Sequence, residues 1–357
     1  MYKRIVVKVG TKVLSTEDNK LDISVLESLV QQIVSLRETG VEVVLVSSGA
    51  MGAGRGILKL GKQEKSTDKQ VLSAVGQVHL MTAYAKAFKK YGQICAQVLA
   101  TKEDFRDKNH YFNMRTCFES LLSRKVVPVV NENDVVSTTE LLFTDNDELA
   151  GLVASQVGAD AVFILSSIEG FMTGDSSDAD AEVIAEIDCK DATAYQKYIR
   201  PDKTKFGRGG MLTKFNIAKK LTTQGITVHL TDGRRKNVLL DLAEGKNIGT
   251  KFLASKKTSA IKRRVAYSDG LTKGSVFVNK GAEELLVSKT KIMSLLPVGV
   301  VKVEGDFVKG DIVEIIGESK QKLGFGVAEY GSSKVKEVLG KKNTRAVIHY
   351  NHMFIDS

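Results

Sequence analysis

Continuous runs of branched apolar residues recur through the first 250 residues, and stretches with apolar positions three or four apart separate them. Arg4–Val9, Val41–Val46, Ile94–Leu99, Val126–Val130, Ala161–Leu165 and Ile226–Leu230 are unbroken rather than alternating, the pattern of strands buried on both faces. Ile23, Leu26, Leu29, Val30, Ile33 and Leu36 share one helical face, with Asp22 placed to cap its start and Gly40 its end. Thr67–Tyr91, Tyr111–Arg124, Asp145–Val157 and Thr213–Thr223 read as further helices. This alternation predicts an α/β fold, an open and mainly parallel sheet with helices on both faces.

The pattern then changes. Lys251–Arg264 is basic and weakly patterned, the character of a linker. Beyond it, Ser275–Val278, Val300–Val303, Ile312–Ile316, Gly324–Ala328 and Arg345–His349 read as short strands, with helices near Gly281–Val287 and Ser332–Leu339. The expected division is a first domain at 1–255, a basic linker at 256–272 and a small β-rich domain at 273–357, in keeping with a length of 357 residues. No apolar run is long enough to span a membrane and no signal peptide is recognisable, so the expected location is cytoplasmic. Three widely spaced cysteines suggest neither a disulfide framework nor a zinc site.

The net charge of +10 is uneven: residues 251–357 hold 19 Lys and Arg against 11 Asp and Glu, whereas residues 1–250 hold 33 against 31. A basic C-terminal third raises nucleic-acid binding, although a lysine-rich surface accounts for the charge by itself.

Ligands of open parallel sheets bind beyond the carboxyl ends of the strands, where the polar and glycine-rich segments of this chain fall. Lys8-Val9-Gly10 closes the first strand, Ser47-Ser48-Gly49 the second, Asn131–Asp134 the fourth and Ser166-Ser167 the fifth, while Gly207–Lys214 opens a helix. Glycines ahead of a helix let backbone N–H groups approach a phosphate. Neither Gly49–Gly56 nor Gly207–Lys214 matches the Walker or dinucleotide pattern. Lys8 interrupts an apolar strand, so it either lies on an edge face or meets a counter-charge. Lys214 sits in the first turn of a helix, where a bound anion would offset its opposition to the helix dipole. Asp145-Asn146-Asp147 supplies carboxylates at another helix start, open to simple N-capping or to a role in the site.

These residues carry a resemblance. The segments VVKVGTKVL at 6–14, VVLVSSGAMGAGR at 43–55, VPVVNENDVV at 127–136, TDNDELA at 144–150 and GRGGMLTK at 207–214 resemble the amino acid kinase family, and within it the glutamate 5-kinases. The segments SVFVNKGAEELL at 275–286, SLLPVGVVKVEGDFVKGD at 294–311 and GFGVAEYGS at 324–332 resemble a PUA domain, a small module frequent in RNA-modifying enzymes. The resemblance implies transfer of a phosphoryl group from ATP, with Mg²⁺, to the γ-carboxylate of L-glutamate, as the first step toward proline.

It further implies that Lys8 and Lys214 contact the ATP phosphates and that Asp147 organises both lysines. Gly10, Ser166, Ser167, Arg208, Gly209, Gly210, Met211, Leu212 and Thr213 would complete the nucleotide site. Ser48, Gly49, Asp134 and Asn146 would hold glutamate, with Asp134 on its ammonium and Ser48 and Asn146 on its carboxylate. Metal ligands are not assigned. A homo-oligomer, RNA contact through the PUA-like domain and transfer of the labile acyl phosphate to glutamate-5-semialdehyde dehydrogenase follow from the same resemblance. Many relatives have Thr-Asp where this chain has Ser166-Ser167, and the Gly170–Ser176 segment and Arg208 also depart from the common pattern. Competing readings are a kinase of the same fold for a nucleoside monophosphate or isopentenyl phosphate, an RNA-binding protein with a relict kinase half, and an amino-acid sensor.

Overall fold

Ile5–Val9 are buried because β1 (Arg4–Val9) lies between two parallel neighbours, β2 (Glu42–Ser47) and β5 (Ala161–Ser166). The computed structural model describes residues 2–58, 66–137, 143, 145–174, 181–189, 195, 198, 210–255, 272–288, 293–341 and 344–355. Besides these three strands, the first sheet contains β3 (Cys95–Ala100), β4 (Val127–Glu132), β6 (Glu186–Ile187), β7 (Thr227–Asp232) and β8 (Thr250–Phe252). Their order is β3-β4-β2-β1-β5-β7-β8-β6, parallel throughout except for the β7–β8 pair. The expected mainly parallel sheet is therefore present, with β1 near its middle.

Alternation along β1 decides what each side chain meets. Ile5, Val7 and Val9 enter one core with Leu26, Leu29 and Ile33 of α1 (Ile23–Glu38), Tyr84 and Phe88 of α3 (Ser66–Lys89) and Leu239 and Leu242 of α8 (Val238–Ala243). Asp22 caps α1 as anticipated, accepting from the N–H groups of Ser24 and Val25. Lys8 has the alternate parity and faces the other side of the sheet, where α6 (Asn146–Val157) packs against β1.

Between β2 and α3 runs α2 (Ala50–Arg55), whose backbone lies directly on α3. A Cβ at Gly76 would sit 1.7 Å from the Ala50 carbonyl oxygen and 2.5 Å from the Gly54 nitrogen; one at Gly54 would sit 2.1 Å from the Leu72 carbonyl oxygen. Only glycine permits this approach, and it fixes the turn that follows Ser48.

The chain divides into two compact units, Met1–Thr101 with Arg115–Lys257, and Lys102–Met114 with Thr258–Ser357. The second unit thus takes in α4 (Lys102–Arg106) and the start of α5 (Lys108–Ser123). Within it, Arg106 donates to the Thr272 carbonyl at 2.9 Å and Lys273 pairs with Asp107 at 3.5 Å. Its five-stranded sheet has the order β10-β9-β11-β12-β13, formed by β9 (Gly274–Val278), β10 (Val300–Gly305), β11 (Ile312–Ile316), β12 (Lys322–Ala328) and β13 (Ile348–Ile355). Val276, Val278, Val303, Val313, Ile315 and Ile348 fill its core, with Asn279 capping α9 (Lys280–Val287) and α10 (Ser332–Val338) following β12.

Several expectations shift. Lys251 and Phe252 lie in β8, so the linker candidate Lys251–Arg264 begins inside a strand, and 256–271 lie outside the described residues. The last strand runs to Ile355 rather than stopping at His349. The elements β6, β8 and α8 are too short to leave a periodic signal. No helix among the described residues is long and apolar enough to cross a membrane.

The α2–α3 contact makes a prediction. Gly76→Ala is expected to destabilise the protein by about 1–3 kcal/mol or more, since backbone atoms must move to admit the methyl group. Urea unfolding measures this, and a variant as stable as the parent would contradict the close approach.

Candidate active site

Lys8 is 7% exposed in the middle of the sheet, and an ammonium group there requires a counter-charge. Asp147, in the first turn of α6, provides it: Lys8 Nζ lies 2.6 Å from Asp147 Oδ1. The other oxygen, Oδ2, lies 2.9 Å from Lys214 Nζ, in the first turn of α7 (Met211–Thr223). Lys214 is also 7% exposed and Asp147 is fully buried. The two sequence alternatives for Lys8 are thereby resolved in favour of the counter-charge. Lys214, like Lys8, meets the Asp147 carboxylate that the resemblance assigned to both lysines.

Burial works against ionisation of Asp147, but Lys8 and Lys214 outweigh it and hold the carboxyl below its ordinary range. The adjacent carboxylate differs. Asp145 Oδ1 caps α6, accepting from the N–H groups of Asp147 at 2.9 Å and Glu148 at 3.0 Å. Its Oδ2 is buried and accepts no hydrogen bond from the described residues. Burial, reinforced by the charge of Asp147, pushes the Asp145 carboxyl up to about 6. Capping and charge placement, offered as alternatives for this segment, are divided between Asp145 and Asp147.

Beside the ion pairs lies an amide and hydroxyl cluster. Asn146 Nδ2 donates to Ser48 Oγ at 2.8 Å and to Asn131 Oδ1 at 3.0 Å. Ser48 is 9% exposed and follows β2, held by its N–H on the Val9 carbonyl at 3.1 Å. Gly49 then turns the chain into α2 with φ +106°, a left-handed conformation that favours glycine. Asn131 joins the cluster as a residue that the sequence does not mark out singly. Its partners Asn146 and Gln77 come from distant parts of the chain, so sequence spacing carries no signal of them.

The other candidates lie at strand ends, in turns and at a helix start, where they are described. Gly10 bonds to the Leu165 carbonyl at 3.0 Å, and a Cβ there would lie 3.6 Å from Lys8 Nζ, so glycine keeps space beside the ammonium. Ser166 ends β5 next to this turn, and Ser167 is exposed. Gly210 begins α7 without a side-chain cap, which leaves the N–H groups of Met211, Leu212 and Thr213 without intrahelical partners. Asp134 is half-buried in the turn after β4. Gly207, Arg208 and Gly209 lie outside the described residues, as do Asp175 and Ser176.

Residues 3–232 match the amino acid kinase family and residues 274–350 match the PUA domain. The chain is 50% identical to a glutamate 5-kinase of Chlorobaculum tepidum, covering 99% of this chain and 98% of that one. It is 42% identical to a glutamate 5-kinase of Bacteroides thetaiotaomicron over 99% of both chains. A carbamate kinase from Giardia lamblia, solved bound to AMP-PNP, superposes with a TM-score of 0.52 at 18% identity, covering 71% of this chain and 99% of that one. That likeness is one of fold.

The raised carboxyl of Asp145 predicts a pH effect. Because its folded-state value exceeds the ordinary 3.8, the folded form holds a proton that the unfolded chain has released, and stability is lost as pH rises through about 6. Asparagine caps helices as well as aspartate and carries no charge. Asp145→Asn is therefore expected to gain stability relative to the parent between pH 4 and pH 7.5, by roughly 1–3 kcal/mol. Chemical unfolding at the two pH values checks this; a gap independent of pH would overturn it.

Proposed function

The chain belongs to the amino acid kinase family, and from that premise we propose that it transfers the γ-phosphoryl group of ATP to the γ-carboxylate of L-glutamate. The products are L-glutamate 5-phosphate and ADP, the first step of proline biosynthesis. The observation that carries this reading is the Lys8–Asp147–Lys214 ion-pair set beside the Ser48–Asn146 cluster at the carboxyl end of the sheet.

The chemistry suits such a site. A glutamate side chain has an ordinary pKa of about 4.3, so the attacking oxygen is already ionised and no general base is needed. What the reaction does need is positive charge, because one anion attacks another. Two ammonium groups share the Asp147 carboxylate, held in place by protein contacts rather than gathered from solvent. Lys8 and Gly10 act on the ATP phosphates from the end of β1. Lys214 acts from the start of α7 on the group in transfer, with the N–H groups after Gly210 as further donors. Ser166, Ser167, Arg208 and Gly209 belong to the same nucleotide site. Ser48, Gly49, Asp134 and Asn146 hold the amino acid.

Mg²⁺ bound with ATP would supply further charge neutralisation. Mg²⁺ that accompanies a nucleotide is held mainly by phosphates and water, with one or two protein carboxylates. Asp145 Oδ2, buried and without a hydrogen bond among the described residues, is a protein oxygen suited to it.

The acyl phosphate product is labile, and its transfer to glutamate-5-semialdehyde dehydrogenase within an assembly of homo-oligomers agrees with that lability. A kinase for a phosphorylated acceptor would need cations where Asp134 and Asn146 stand. RNA contact is a second role, supported by the match of residues 274–350 to the PUA domain and by the 19 basic against 11 acidic residues of the last third.

Glutamate-dependent ADP release, with hydroxylamine trapping of the acyl phosphate, tests the activity. Lys214→Ala is expected to lower kcat on the order of a hundredfold or more while changing the KM for glutamate little. Near-normal turnover in that variant would remove Lys214 from the proposed role.

A further inference from the structure

The hydrogen bonds around Ser48 have a fixed direction, and Glu132 sets it. Its backbone N–H donates to the side chain of Asn131 at 2.9 Å, and a backbone amide can only donate, so the accepting atom is oxygen, Oδ1. Asn146 must therefore present Nδ2 to that oxygen, at 3.0 Å, and its second N–H goes to Ser48 Oγ at 2.8 Å. Both N–H bonds of Asn146 are then spent, and it can meet a ligand only through Oδ1, an acceptor. Ser48 Oγ accepts from Asn146 and so keeps its own proton to donate.

The remaining end of Asn131 is held from α3. Asn131 Nδ2 donates to Gln77 Oε1 at 2.9 Å, and Gln77 Nε2 donates to Gln97 Oε1 at 3.2 Å. On the same helix, Tyr84 bonds to Ser47 Oγ at 2.8 Å, so α3 supports both the strand end that carries Ser48 and the asparagine that orients Asn146. Asn131 is 4% exposed, and without Gln77 its buried amide would lack an acceptor. Turning the amide over would recover a partner only by giving up the Glu132 bond and offering Asn146 a donor in place of an acceptor.

Resting on the proposed glutamate kinase reading, we infer that Gln77 is a positioning residue: through Asn131 it fixes Asn146 with its carbonyl oxygen toward the substrate. Asn146 Oδ1 and Asp134 then receive the α-ammonium group, and the Ser48 hydroxyl donates to the α-carboxylate. This reverses the assignment of Asn146 to the carboxylate made from the sequence.

The test compares Gln77→Met, which keeps length and removes the acceptor, with Gln77→Glu, which keeps an acceptor for Asn131. Glutamate turnover by the unmodified protein is read first, so that failure of the parent activity is separated from failure of this inference. Gln77→Met is expected to raise the KM for glutamate about tenfold, with the KM for ATP unchanged. It should also narrow the kcat/KM preference for glutamate over glutarate, which lacks the ammonium group. Gln77→Glu should keep both parental values. A methionine variant kinetically identical to the parent, or two variants impaired alike, overturns the role of Gln77. Ser48→Ala provides an arm that does not depend on those variants folding. It should depress kcat/KM strongly for glutamate and hardly for 4-aminobutyrate, which lacks the α-carboxylate; equal losses for both overturn the orientation.

Discussion

The Asp147 carboxylate is shared by two ammonium groups, one from the central strand and one from a helix far along the chain, and the site's architecture depends on that sharing. Lys8 can occupy a buried strand position only because Asp147 stands 2.6 Å away. Lys214 occupies the first turn of α7, against the helix dipole, with the same carboxylate facing it at 2.9 Å. Asp147 in turn is placed by Asp145, which caps α6 and orients its first turn. Three elements meet at one carboxylate, which holds two cations in fixed positions, the feature a phosphoryl-transfer site requires.

Close backbone packing supports this arrangement from outside. Glycines 54 and 76 bring α2 onto α3, and α3 reaches the site through Tyr84 on Ser47 and Gln77 on Asn131. In the proposed function the charged cluster handles the phosphoryl group, while the neutral hydrogen-bonded cluster faces the amino acid. Asn146 and Asp147 are neighbours in sequence at the start of α6 and serve one cluster each, which ties the two together rigidly.

Much of this was legible in the sequence, for identifiable reasons. Buried parallel strands are long apolar runs, so β1, β2, β4, β5 and β7 stood out, and glycine-rich turns at their ends pointed to the site. Lys8 drew notice because a cation in such a run needs an explanation. Its partner Asp147 comes from the family resemblance alone, since pairing between Lys8, Asp147 and Lys214 depends on strand order, which periodicity does not encode. Asn131 and Gln77 were overlooked for the same reason: an amide in a strand end and one on a helix are unremarkable until the fold joins them. The short elements β6, β8 and α8 offer too few residues for any period to show, and β8 consequently fell inside a stretch that looked like linker.

The claim that one carboxylate holds both lysines is tested most directly by the unfolding free energy of Asp147→Asn, measured without nucleotide at pH 7.5. Asparagine preserves shape and removes the charge, depriving two buried ammonium groups of the carboxylate they share. The account predicts a loss of about 3–5 kcal/mol. A variant within about 0.5 kcal/mol of the parent, the range of an ordinary surface substitution, would contradict it.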